Sequence, residues 1–133
     1  MSKLVGLSEA GSIAIHSMVL ITKSETLLNV IKISEHTGSS KHHIAKILQR
    51  LVKVGLLKST RGPSGGFVIN KNPEEINLLD IYESVEGKID TSTCPMNKLV
   101  CPFNKCIINN VVNKLTLDFT EFLKNKKLSD YID

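Results

Sequence analysis

The sequence predicts a mainly α-helical fold with one short β-hairpin and a long C-terminal helix. Three observations predict it. Apolar residues recur at helical steps in several separate stretches. A Gly/Pro-rich turn, Arg61 to Gly66, lies between two short strand-like runs. An apolar stripe then runs from Ile107 to Leu123 near the end of the chain. At 133 residues the chain is about one domain. Its 41% hydrophobic and 23% charged residues are those of an ordinary globular protein.

Ser8 opens the first helix, where Ile13, Met18, Val19 and Leu20 supply an apolar face. Lys23 to Thr26 breaks it. Leu27 to His36 reads as a second helix on the spacing of Leu27, Val30, Ile31 and Ile33. Thr37-Gly38-Ser39 is a tight turn, and Ser40 reads as an N-cap. The third helix runs to about Val54. Ile44, Ile47, Leu48, Leu51 and Val52 form its inner face, and Lys41, His42, Lys46, Gln49, Arg50 and Lys53 take the others. Gly55 suits the position just past its end.

Leu56 to Thr60 and Phe67 to Asn70 then read as strands, and Asn72-Pro73 closes the unit. Ile76 to Val85 forms a further amphipathic helix, ended by Gly87. Residues 88–106 read as a polar loop bearing the cysteines. From about Asn104 to Lys126 one long helix carries Ile107, Val111, Leu115, Phe119, Phe122 and Leu123 in a stripe, and Leu128 to Ile132 adds a short last turn. That stripe is too long for so small a domain to cover alone, so it points to a second copy of the chain. An intramolecular core helix is the alternative.

Charge is unevenly spread. The net charge is +4, but residues 1–72 hold ten Lys and Arg against three acids, Glu9, Glu25 and Glu35. Residues 73–133 hold seven Lys against ten acids. One half is therefore suited to a polyanion. Helix, glycine turn, helix and hairpin together make the winged helix-turn-helix plan. Such a helix fits the major groove of double-stranded DNA with its N-terminal residues at base edges. The contact residues expected there are Ser39, Ser40, Lys41, His42, His43 and Lys46. A glycine-rich wing lets backbone approach phosphates, which nominates Lys58, Ser59, Arg61, Gly62, Pro63, Ser64 and Gly65. The same shape also serves as a protein-docking module.

The run Gly55-Leu56-Leu57-Lys58-Ser59-Thr60-Arg61-Gly62-Pro63-Ser64-Gly65-Gly66-Phe67 resembles the wing of the IscR/NsrR/CymR-type (Rrf-two) regulators. Ile33-Ser34-Glu35 and Gly38-Ser39-Ser40 with Ile44 are similar to that family's turn and recognition helix. Ile76 to Ile81 and Val85-Glu86-Gly87 are similar to its next helix. The resemblance implies a homodimeric, bacterial-type DNA-binding repressor or activator with a palindromic operator. It divides the chain into a DNA-binding domain (1–87), a cysteine-bearing sensor loop (88–106) and a dimerisation helix with its tail (107–133).

Cys94, Cys101 and Cys106 fall within thirteen residues. In a cytosolic protein such clustering favours metal or redox chemistry over structural disulfides, and thiolates suit iron–sulfur clusters, zinc or Cu(I). Three unrelated thiols are the plain alternative. The resemblance implies an iron–sulfur cluster, 2Fe–2S or 4Fe–4S, on these three residues. Some family members take a fourth ligand from a His three residues after the last cysteine; that position here is Asn109. Others use an acid in the partner subunit's first helix; Ser12 stands there, with Glu9 one turn away. His16 and His36 complete the candidates, although a helix-face role for His16 and a helix-end cation role for His36 explain them equally.

The function implied is a transcription regulator whose operator affinity follows redox state, nitric oxide or cluster status. Direct thiol oxidation or a partner protein is the alternative within the same fold. An iron–sulfur assembly or electron-carrier protein is the alternative from another class, and such a protein needs neither wing nor basic half. No acid–base constellation indicates an enzyme. No apolar run approaches membrane-spanning length, and no signal-peptide core is visible, so a cytoplasmic location without membrane partners is expected.

Overall fold

The computed structural model describes residues 6–90 and 102–132. Helix α1 spans Glu9–Lys23, and the Ser8 side chain accepts the Gly11 N–H at 3.0 Å. Its buried face comprises Ile13, Ala14, Ser17, Met18 and Ile21. Helix α2 spans Val30–Thr37 and starts three residues later than the apolar spacing suggests. The reason is a long-range contact. Leu28 bridges Phe67, whose N–H donates to the Leu28 carbonyl at 2.8 Å, so this backbone is extended. Asn29 then caps α2 by accepting the Lys32 N–H at 2.9 Å.

Gly38 ends α2 in the left-handed region at φ 75°, where a Cβ would be strained. Helix α3, Lys41–Lys53, follows after Ser40, whose side chain accepts the His43 N–H at 3.1 Å. Its far end is a Schellman motif: Gly55 N–H donates to Val52 O and Leu56 N–H to Leu51 O, both at 3.0 Å. Strands β1 (Leu57–Thr60) and β2 (Gly66–Ile69) pair antiparallel, with Leu57 opposite Ile69 and Thr60 opposite Gly66.

A short 3₁₀ turn at Pro73–Glu75 leads to α4, Leu78–Glu86. The expected start at Ile76 moves to Leu78 because Asn77 is the cap, accepting the Asp80 N–H at 2.7 Å. Ile76 instead pairs with the C-terminal tail. Leu128 N–H donates to Ile76 O and Leu78 N–H to Lys126 O, both at 2.9 Å. Leu128, in a 3₁₀ turn at Leu128–Tyr131, is fully buried in the core that holds Met18, Ile33, Leu48, Leu57 and Ile81. Burying one such leucine contributes about 2 kcal/mol. The tail after the long helix is thus part of the same core as α1–α4.

Helix α5 spans Val111–Asn125 and is shorter at its start than the sequence suggests. Asn109 and Asn110 both have φ 55°, a conformation asparagine tolerates, and they turn the chain before the helix begins. Only Leu123 of α5 is buried. Val111, Leu115, Phe119 and Phe122 remain 38–50% exposed. Among the described residues no helix is long and apolar enough to cross a membrane.

Candidate nucleic-acid interface and cysteine turn

Two segments form the candidate interface, and backbone bonds hold each in place. The turn before α3 is fixed by the Ser34 hydroxyl, which donates to Ser39 O at 2.7 Å, and by Ser39 N–H donating to the Thr37 hydroxyl at 3.3 Å. Ser39 is therefore half-buried and tied to the turn, while Ser40 is exposed and caps α3. Sequence reasoning placed Ser34 and Thr37 at this turn but gave their side chains no role. Their signal is two short hydroxyl residues within four positions ahead of a glycine turn.

Helix α3 presents an exposed face opposite its buried one. His42, Lys46, Gln49 and Lys53 recur at steps of four, three and four, while Ile44, Ile47, Leu48 and Leu51 are buried. The first turn holds Lys41, His42 and His43 and no acid. Cations at this end oppose the helix dipole, which favours anions there. Such a placement works against the isolated helix and suits an arriving phosphate. Arg50 belongs elsewhere: its Nε donates to Ser84 O at 3.0 Å and ties α3 to α4.

In the wing, Lys58, Ser59, Thr60, Arg61, Gly62, Pro63 and Ser64 are all exposed. Gly65 is half-buried and has a structural reason to lack a side chain. A Cβ there would run into the Thr60 carbonyl, and one at Gly66 would lie 2.7 Å from Leu28 O. The hairpin closes tightly on itself and on the α1–α2 connection. Leu28, which sequence reasoning placed inside a helix, is therefore what docks the wing.

Cys94 and Cys101 lie outside the described residues. Cys106 is half-buried and pairs with no other sulfur among the described residues. The backbone N–H groups of Asn110 and Ile108 hold its thiol below the ordinary cysteine range; partial burial opposes them, and the Asn109 N–H adds a smaller push downward. The two positive-φ asparagines shape this turn. Backbone N–H groups that favour the deprotonated sulfur suit a metal-ligating cysteine, which fits an iron–sulfur donor. Among the described residues no three His, Cys, Asp or Glu side chains come together as a metal site.

The four fourth-ligand candidates separate into two places. Ser12, His16 and His36 line one groove of about 560 Å³, together with Thr37, Ser39 and Tyr131. His16 Nδ1 lies 2.6 Å from Ser12 O, which leaves its Nε2 available. Glu9 is exposed, and its Oε1 lies 3.8 Å from His43 Nδ1 at the start of α3. Asn109 contributes its backbone to the Cys106 turn.

A family profile, Rrf2, described as an iron-dependent transcriptional regulator, matches residues 7–133. The chain is 28% identical over 129 residues to the transcriptional regulator IscR of Pectobacterium atrosepticum, covering 96% of this chain and 79% of that one. It is 29% identical over 108 residues to the transcriptional regulator NsrR of Bacillus subtilis, covering 80% and 74%. Its fold is similar to that of CymR, the global cysteine regulator of B. subtilis, with a TM-score of 0.76 at 24% identity over 98% and 100% of the two chains.

Proposed function

Since the chain belongs to the Rrf2 family of transcriptional regulators, we propose that it binds a palindromic DNA operator as a homodimer under the control of its cysteine loop. The observation that carries the DNA reading is the first turn of α3. Lys41, His42 and His43 stack positive or protonatable groups at the positive end of a helix with no acid in its own first turn. A nucleic-acid phosphate supplies the missing anion. The exposed Lys58 and Arg61 add two cations on the wing. In this reading residues 1–87 read DNA, 88–106 sense, and 107–133 supply a dimerisation helix and a C-terminal tail that packs back on the first unit. The contact set is Ser39, Ser40, Lys41, His42, His43 and Lys46 with Lys58, Ser59, Arg61, Gly62, Pro63 and Ser64; Gly65 shapes the wing.

Dimerisation is supported by the uncovered face of α5. Val111, Leu115 and Phe119 recur every four residues, and Phe122 continues the face. Two such faces meeting about a twofold axis would bury one another in an isologous contact. They would also set the spacing of the two α3 helices along the duplex.

Cys94, Cys101 and Cys106 would hold an iron–sulfur cluster, with Ser12, His16, His36 or Glu9 as candidates for a fourth ligand. When bound, such a cluster supplies a centre sensitive to redox state, nitric oxide and iron. The chain's own part is to offer thiolates and to join them to α5. The lowered thiol of Cys106 also favours a second reading, in which the cysteines are oxidised directly without a cluster. Anaerobic purification and reconstitution separate the two. Stoichiometric iron and acid-labile sulfide, with DNA affinity that changes on their removal, support the first. Iron-free protein whose DNA affinity changes on thiol oxidation and recovers with dithiothreitol supports the second. DNA binding indifferent to both treatments overturns control by the cysteine loop.

A further inference from the structure

Glu9 stands apart from the charge pattern of the reading unit. It is one of only three acids in residues 1–72. It opens α1, where a carboxylate suits the helix dipole. Its Oε1 also reaches across to His43 Nδ1 at 3.8 Å, with the Glu9 side chain 77% and the His43 side chain 37% exposed. His43 is the third residue of α3, and its N–H is already held by the Ser40 side chain at 3.1 Å. The backbone of His43 is thus fixed by the cap and its ring is faced on one side by a carboxylate.

We propose that Glu9 is a positioning and specificity-determining residue of the DNA-reading surface, acting through His43. This rests on the DNA-binding reading given above. Two effects follow from the geometry. First, the carboxylate faces the Nδ1 edge of the ring at 3.8 Å and leaves the Nε2 edge on the opposite side. A histidine ring held at the start of a recognition helix suits the donor and acceptor groups of base edges in the major groove. Second, Glu9 places a negative charge beside the anion-seeking end of α3. It repels the phosphates of any duplex, whatever its sequence. The repulsion weakens all duplexes alike and leaves the ratio of specific to non-specific affinity unchanged, whereas holding His43 for discriminating binding raises that ratio.

The test measures that ratio by fluorescence anisotropy with two probes: a duplex selected by the wild-type protein from a randomised pool, and poly(dI-dC). Glu9→Gln is expected to tighten poly(dI-dC) binding by about two- to fivefold, the size of an exposed charge-pair effect. The specific to non-specific ratio should fall by about threefold or more, within the cost of one impaired base contact. Glu9→Asp keeps the charge but is one methylene shorter. It should leave poly(dI-dC) binding near wild type while the ratio still falls. In a His43→Gln background, Glu9→Gln should tighten both probes alike and no longer lower the ratio, because the residue through which it acts is gone. Circular dichroism melting identifies any variant that fails to fold, and Glu9→Asp serves in place of a misfolded Glu9→Gln. An unchanged ratio in both Glu9 variants overturns the proposal. So does an undiminished loss in the His43→Gln background, which would place the action of Glu9 elsewhere. Failure of the wild-type protein to select or bind any duplex removes the DNA-binding reading itself, a result distinct from either.

Discussion

Lys46 and Arg50 lie one turn apart on α3, yet they should respond differently when replaced. Lys46 is exposed on the face shared with His42, Gln49 and Lys53. Arg50 donates to Ser84 O at 3.0 Å and braces α4. Each phosphate neutralised on duplex DNA adds about 0.9 to the slope of log affinity against log salt. In the proposed dimer Lys46→Ala removes two contacts, so the slope should flatten by about 1.8. Over a fourfold rise in salt, the affinity gap between wild type and variant should then narrow by about tenfold. Arg50→Ala should leave the slope at the wild-type value and lower stability by about 1 kcal/mol, the size of one solvent-accessible hydrogen bond. Anisotropy titrations of a selected duplex across a potassium chloride series give the slopes, and urea unfolding gives the stabilities. Equal flattening for both variants would refute the assignment of Arg50 to the α3–α4 contact. No flattening for Lys46→Ala would remove the exposed face of α3 from the DNA.

Other outcomes follow from the same geometry. Ser40→Ala removes the α3 cap and should destabilise the protein by about 1 kcal/mol in urea unfolding, with weaker binding to the selected duplex. Leu115→Lys, in the middle of the uncovered α5 face, should shift the protein from dimer to monomer in sedimentation velocity; a dimer that persists would place the interface elsewhere. Leu128→Ala should cost about 2–5 kcal/mol in the same urea titration, because its side chain is fully buried. Alkylation of Cys106, measured by iodoacetamide in a protein with Cys94 and Cys101 replaced by serine, should rise with a midpoint below that of an ordinary cysteine. The sign follows from backbone N–H groups that favour the thiolate. The same depression means that any stability gained from the thiolate is present above the ordinary cysteine range. It is lost as pH falls through the lowered value. A midpoint at or above the ordinary value would contradict the turn geometry.

Local chemistry was readable where local bonds decide the structure. Ser40 as a cap, Gly38 as a left-handed turn residue and Gly55 beyond the end of α3 are all settled by neighbours within a few positions. The apolar face of α3 was equally plain. The starts of α2 and α4 were not, because Leu28 bonds to Phe67 and Ile76 to Leu128, partners distant in sequence. Periodicity carries no trace of such pairs. The long helix was overextended toward Asn104 because Ile107 continues the apolar stripe, while positive φ at Asn109 and Asn110 interrupts the backbone. At the candidate site, charged and hydroxyl residues of the reading surface were legible as types. Their division of labour was not: Arg50 and Gly65 serve the fold. Ser34 and Thr37 hold the turn. Glu9 meets His43 across two helices.

The backbone bonds from Leu128 to Ile76 and from Leu78 to Lys126 pin α5 at its C-terminal end. Cys106 lies just before its other end. Fifteen residues of helix make a rod about 22 Å long, so the pinned end is a pivot and the cysteine end is the handle. A displacement of about 2 Å at the handle swings the axis by about 5°. The stiffness of an α-helix delivers that angle to whatever lies against the Val111–Phe122 face.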